Sequence, residues 1–172
     1  MMRSGKLENI KREMRRNKLD ILGLSEMRWK EGGDFESEEF RVCYAGGKES
    51  QRGVAIILDK EKAKRVLKVD MVSDRIISVK IKADPVDLMI IQVYMPTSAH
   101  EDEEVDEIYD RIEELVANEK GKDYVVIMGD WNAVVGEGQE GKEIGEYGLG
   151  SWEPEMREAK SWWSFVNETN LW

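Results

Sequence analysis

The sequence predicts an α+β fold, with sheets carrying helices on their outer faces. Three observations predict it. Apolar runs of strand length crowd residues 19–95, stretches of helical periodicity flank them at 5–18 and 101–118, and one more strand pattern and one more helical pattern close the chain. The order helix, strands, helix, strand, helix suits sheets buried beneath helical layers. At 172 residues one domain with one core is expected over 1–172.

Residues 5–18 are expected to form a helix, because Leu7, Ile10 and Met14 recur at helical spacing among charges. Leu19 to Ser25 is an apolar run of buried-strand length that stops at Glu26. Gly32-Gly33 marks a loop. Strands are expected at 40–45 and 53–58, and the second, Gly53-Val54-Ala55-Ile56-Ile57-Leu58, is apolar enough to be central. Segments 65–71, 76–82 and 87–95 read as a meander, with Asp84-Pro85 supplying a turn. In the middle segment Ile77, Val79 and Ile81 alternate with Ser78, Lys80 and Lys82, the pattern of a sheet with one wet face. The third is nearly all apolar, as for a strand covered on both faces. An amphipathic helix is expected over 101–118, with Val105, Ile108, Ile112, Leu115 and Val116 on one side. Tyr124 to Met128 reads as another buried strand, leading into Gly129-Asp130-Trp131-Asn132. Six glycines between Gly136 and Gly150 make a long loop, and 155–170 returns to helical spacing through Met156, Ala159, Trp163 and Val166.

Composition narrows the class. The chain is 41% hydrophobic and 36% charged, has a net charge of −10, and contains no apolar run near the roughly 20 residues that cross a bilayer. No membrane association is expected. The charged start argues against secretion, and the single Cys43 fits a buried packing thiol in a reducing compartment; the expected location is intracellular, nuclear or cytoplasmic. A protein that grips nucleic acid by neutralising phosphates should carry a basic stripe. Positive charge gathers early, in Lys6, Lys11, Arg12, Arg15, Arg16 and Lys18, whereas 101–119 is acidic. Both runs also fit solvated helix faces, so charge leaves open which polyanion, if any, is bound.

Two strand ends stand out chemically. Apolar runs stop at Glu26 and at Asp130, and carboxylates are expensive to desolvate without a compensator. A divalent cation is one compensator; capping a helix or starting a turn is the other use of such a residue. Asp130 and Asn132, spaced by two, would share one side if the chain is extended there, pairing a carboxylate that could orient or deprotonate water with an amide that could hold a phosphoryl oxygen. Tyr94, at the end of a third apolar strand, could donate a hydrogen bond to a phosphate or simply pack.

Leu24-Ser25-Glu26, Gln92-Val93-Tyr94-Met95-Pro96-Thr97 and Met128-Gly129-Asp130-Trp131-Asn132 resemble, in order and spacing, three motifs of the endonuclease/exonuclease/phosphatase superfamily. Glu26-Met27-Arg28-Trp29, Gly53-Val54-Ala55-Ile56, Gly136 and Tyr147-Gly148-Leu149-Gly150 resemble one branch: the apurinic-type endonuclease domains of LINE-like retrotransposons and their craniofacial development protein 2-like relatives. The resemblance implies a four-layer α/β-β/α sandwich of two mixed sheets with outer helices, here incomplete. It also implies hydrolysis of phosphoesters with Mg²⁺ or Mn²⁺. By the same carry-over Glu26 would be the principal metal ligand, Asp130 would position or activate water, Asn132 and Tyr94 would hold the scissile phosphate, and Arg28 would touch substrate. DNA or another phosphodiester is the implied partner.

The chain departs from that family pattern. The family's leading strand with its Asn, and its later strands with an Asp and a final Asp-His pair, find no match, and the single histidine, His100, is not at the catalytic position. Activity is therefore expected to be severely weakened, and sheet edges left open to association with another chain. A catalytically dead domain acting through protein contacts is one alternative; a phosphomonoesterase of the same superfamily is the other.

Overall fold

The computed structural model describes residues 4–97, 102–119 and 123–132. They fall into two compact units: residues up to Met95 with Asn118–Asp130, and Pro96–Ala117 with the residues from Trp131 onward. In chain order the elements are α1 (Ser4–Asn17), β1 (Ile21–Leu24), β2 (Gly32–Ser37), β3 (Phe40–Ala45), β4 (Val54–Asp59), α2 (Lys60–Ala63), β5 (Val66–Ser73), β6 (Ile76–Ile81), β7 (Leu88–Tyr94), α3 (Asp102–Asn118) and β8 (Tyr124–Asp130). The fold is α+β, with two four-stranded sheets, ordered β1-β4-β3-β2 and β5-β6-β7-β8.

The two sheets belong to the first unit and share a core. Cys43, Ala45, Val54, Ile56 and Leu58 of the first sheet pack with Ile77, Val79, Ile81 and Ile90 of the second. Each valine, leucine and isoleucine among them, fully buried, stabilises the fold by about 1.5–3 kcal/mol relative to exposure. The thiol of Cys43 is buried in the same cluster, as its apolar neighbours suggested, and burial pushes its pKa up to about 12. On the other side of the first sheet, Met14 of α1 packs on Phe40, Val42 and Ile57, with Leu7 and Ile10 alongside. β4 is therefore central and buried on both faces, as its unbroken apolar run required.

Ion pairs fasten α1 as well. The ammonium of Lys11, on a side chain only 1% exposed, donates to Ser37 Oγ and Glu38 Oε2 at 3.0 Å each and pairs with Glu8 at 2.6 Å. Arg15 pairs with Glu38 and Glu39. Two charges of the early basic run thus bind the β2–β3 turn, which corrects the expectation of a wholly solvated face.

Four local expectations also change. Gly32-Gly33 opens an edge strand, pairing Gly32 with Ala45 and Gly33 with Tyr44. A polar edge strand carries no apolar alternation to announce it, and at Gly33 a Cβ would meet the Tyr44 ring, which would have to move aside. The four-residue α2, capped by Asp59 accepting from the Lys62 amide at 2.7 Å, went unforeseen between two strands. The wet face expected on β6 is not wet: Ser78 is buried, and Lys80 is half-buried with its ammonium on Glu119 at 2.6 Å and Asp123 at 2.5 Å. Finally β8 is not a buried strand. It is the last strand of its sheet among the described residues, and Tyr124 and Val126 are 66% and 44% exposed while Met128 packs on the inter-sheet core.

Candidate functional site

The site begins where β1 meets the second sheet. Gly23, in mid-strand, stands where any Cβ would collide with the Gln92 amide and the Met128 methyl. That missing atom lets the end of β1 approach β7. The Gln92 amide, 3% exposed, donates to Ser25 Oγ at 3.1 Å, and Ser25 Oγ donates to the Val93 carbonyl at 3.4 Å. The residue after Ser25 is Glu26, so the seam delivers Glu26 to the end of β7.

The second placement comes from strand pairing. β7 and β8 run parallel in the register Val93↔Gly129 and Tyr94↔Asp130, and the Met95 amide donates to the Asp130 carbonyl at 2.9 Å. Gly129 is required at this step, since a Cβ would sit on the Val93 backbone carbonyl. A parallel pair ends both strands on the same edge, so Tyr94 and Asp130 emerge side by side.

Tyr94 joins the two placements. Its phenol donates to Glu26 Oε1 at 2.8 Å, and Arg28 Nη2 lies 3.3 Å from Glu26 Oε2. That phenol bond, and next the Arg28 charge, hold the Glu26 carboxyl below its usual pKa range, so it is ionised at neutral pH. Burial, then the bond to Glu26, lifts the Tyr94 phenol above its ordinary value; Arg75 opposes this and Asp130 adds to it. Glu26 remains half exposed, open to a ligand from solvent.

The loop carrying Glu26 is strained. Glu26, Arg28 and Glu31 all take positive φ, +54°, +56° and +61°, a region that costs residues with a Cβ about 1 kcal/mol or more apiece. It is held there by backbone bonds to the β3–β4 loop, Met27 N to Gly53 O at 2.9 Å and Arg28 N to Arg52 O at 2.7 Å. The buried Met27 anchors its middle.

Of the residues singled out in the sequence, Glu26, Tyr94 and Asp130 come to one rim, with Arg28 beside Glu26. Asn132 needs a correction. Its φ is +46°, so the chain is not extended there and the spacing of two no longer argues that its amide shares a side with Asp130. Trp131, between them, stacks on Tyr109 with ring centroids 6.3 Å apart. His100, the glycine-rich stretch and the helical pattern at 155–170 lie outside the described residues. Sequence reasoning gave no role to Gln92, Ser25 or Arg75; a glycine inside an apolar strand, as at Gly23, was the one signal that another chain segment approached closely there.

Glu26 and Asp130 offer only oxygen donors, which suits a hard cation. Among the described residues no three His, Cys, Asp or Glu side chains gather as a ready metal cluster. That sparse donor set still fits Mg²⁺, which is held by one or two carboxylates and keeps much of its water.

Comparison with known proteins bears on the family and the fold. The family described as "Endonuclease/Exonuclease/phosphatase family" matches residues 3–140. Craniofacial development protein 2 of Bos taurus is 37% identical over 150 residues, covering 87% of this chain and 25% of the relative, so the chain spans about a quarter of that protein. Among solved structures, the AP endonuclease LMAP from Leishmania major superposes with TM-score 0.64 at 14% identity, over 92% of this chain and 60% of the other. The endonuclease domain of TRAS1, a telomere-specific non-LTR retrotransposon, gives TM-score 0.60 at 14% identity, over 92% and 62%.

Proposed function

Because this chain belongs to the endonuclease/exonuclease/phosphatase family, we propose that the rim of Glu26, Tyr94 and Asp130 handles the phosphoryl group in a metal-dependent phosphodiester hydrolase of the DNA endonuclease kind. The observation that carries this reading is the Tyr94–Glu26 hydrogen bond of 2.8 Å beside the Tyr94↔Asp130 pairing. An ionised carboxylate, a neutral donor and a second carboxylate near one strand edge are the groups that this reading needs, and they support it.

In this reading Glu26 would hold Mg²⁺ or Mn²⁺, whose chemistry when bound is to polarise the phosphoryl oxygens. Asp130 orients a water and takes its proton. Tyr94, and Asn132 where the substrate brings it into play, donate to the phosphate oxygens as charge builds on them. Arg28, 64% exposed at the rim, meets the phosphate backbone.

A second reading, a non-catalytic domain acting through protein contacts, draws on the exposed Tyr124 and Val126 of β8. One set of assays separates the readings. Mn²⁺ binding is measured by calorimetry for the chain and for Glu26→Gln, and nicking of plasmid and abasic DNA is measured for the chain and for Asp130→Ala. The hydrolase reading expects Mn²⁺ binding that Glu26→Gln weakens at least about tenfold, and nicking that Asp130→Ala lowers at least about 100-fold. Absence of Mn²⁺ binding, or binding indifferent to Glu26→Gln, would sink it. Mn²⁺ binding without any cleavage would favour the protein-contact reading, and cleavage of inositol phosphates in place of DNA would shift the substrate class to phosphomonoesters.

A further inference from the structure

Two cations are buried among the described residues of the first unit: Lys11, which fastens α1, and Arg75, which has no task in the proposed chemistry. Arg75 is 4% exposed and stands one residue before β6, in the β5–β6 turn. Burying a guanidinium is expensive, and a methionine or leucine could fill the same space without that cost. Among its contacts, those with Tyr94 stand out. Arg75 Nη1 donates to the Tyr94 carbonyl at 3.1 Å, the Tyr94 amide donates back to the Arg75 carbonyl at 2.9 Å, and the guanidinium carbon lies 5.3 Å from the centre of the Tyr94 ring. That distance is within the range at which a cation is attracted to a ring face.

The turn itself is braced on both sides. The Arg75 amide donates to Ser73 Oγ at 3.1 Å, and the neighbouring Asp74 carbonyl accepts from the Gly53 amide at 3.0 Å. Gly53 in turn accepts from Met27, in the strained loop that carries Glu26. One turn therefore reaches both partners of the Tyr94–Glu26 hydrogen bond, the tyrosine directly and the glutamate through two backbone bonds.

We propose that Arg75 is a positioning residue for the Tyr94 phenol, gripping the tyrosine by backbone and ring so that its hydroxyl stays aimed at Glu26 and at a bound phosphate. The inference rests on the reading of this rim as a phosphoryl site. The grip is geometric: the Nη1 bond to the Tyr94 carbonyl fixes the end of β7, and the guanidinium beside the ring limits how that ring can tilt.

The test uses the whole chain with ring-¹³C-labelled tyrosine observed by NMR at one near-neutral pH, with the Tyr94 resonances identified by their loss in Tyr94→Phe. Arg75→Met removes the charge and the fork at similar volume, and Arg75→Lys keeps charge without the planar fork. The Tyr94 ring resonances are expected to shift and its ring flip to quicken in Arg75→Met, and Arg75→Lys to do the same to a smaller degree. Should Arg75→Met fail to fold, Arg75→Lys alone decides on the same criterion. Tyr94 resonances and a ring-flip rate unchanged in the folded variants overturn the proposal, because a merely space-filling arginine would leave the ring as it is. Where cleavage is measurable, Arg75→Met should lower kcat about tenfold or more with little change in KM, and lose most of that effect in a Tyr94→Phe background; an undiminished effect there also overturns it. The NMR observation needs no turnover, so failure of the hydrolase reading would be seen separately, as absent Mn²⁺ binding.

Discussion

The two sheets of the first unit are built from the same number of strands, yet they supply the site unequally. In β1-β4-β3-β2 every pairing is antiparallel, so neighbouring strands end at opposite edges and a single strand end, that of β1, brings one residue, Glu26, to the rim. In β5-β6-β7-β8 the β7–β8 pairing is parallel, the one such pairing among the named strands, and it alone ends two neighbours on one edge, with Tyr94 and Asp130 adjacent. The lesson is topological: an antiparallel ladder makes a stable wall, whereas a parallel pair collects side chains at its C-terminal ends. Chemistry gathers where the second kind abuts the first, and two glycines, Gly23 and Gly129, make that junction close enough.

The hardest blow to this contrast should come at Gly129. Adding a methyl there drives it into the Val93 backbone carbonyl, which no rotamer change can relieve. Gly129→Ala is expected to cost about 3 kcal/mol or more, read as a lower urea midpoint. A matching Gly5→Ala, in open space in the first turn of α1, should leave the midpoint unchanged or raise it slightly. Equal effects at the two glycines would remove the parallel pair from its place in the argument.

A milder break targets the seam between the sheets. Gln92→Leu keeps the volume and removes the donor that reaches Ser25 Oγ, at an expected cost of about 1–2 kcal/mol. Because Ser25 precedes Glu26, this variant should also weaken Mn²⁺ binding in calorimetry, whereas Val42→Ala, in the α1-facing layer, should destabilise the fold without altering that binding. Loss of metal affinity in both variants would mean that general loosening, and not the seam, places Glu26.

How far these features could be read beforehand follows from the physics of each. β3, β4, β6 and β7 are legible because burial on one or both faces writes itself into apolar alternation or unbroken apolar runs. β2 is not, since Gly32-Gly33-Asp34-Phe35-Glu36-Ser37 makes an exposed edge whose pairing partner lies in another segment. Ser78 and Lys80 look like solvent-facing residues because their side chains are polar, and neither gives any local sign that Ser78 is covered or that Lys80 meets Glu119 and Asp123. At the site, Glu26, Tyr94 and Asp130 are legible as polar ends of apolar strands. The parts that hold them are not: Gln92 reaches Ser25 across 67 residues, and Arg75 reads as an ordinary charged turn until Tyr94 folds onto it. Asn132 shows the converse error, a spacing argument that fails once the strand ends and φ turns positive.

The smallest effect is the most direct probe of the contact between the sheets. Tyr94→Phe deletes the bond to Glu26 and leaves the ring. In the folded protein that bond depresses the Glu26 pKa below the 4.5 of an unfolded chain, so its contribution to stability is present above that value and is lost as pH falls through the depressed one. The phenol's own pKa is raised above 10.0, so its contribution is present below that value and is lost as pH rises through the raised one. Wild type should therefore exceed Tyr94→Phe in urea midpoint most clearly between about pH 5 and 9, with the two curves drawing together in acid and again in alkali. Glu26 is exposed, so the margin should be small and should shrink further in high salt. A margin that persists undiminished at low pH would mean that the tyrosine stabilises the junction by packing alone, and that Glu26 stands at the rim without its help.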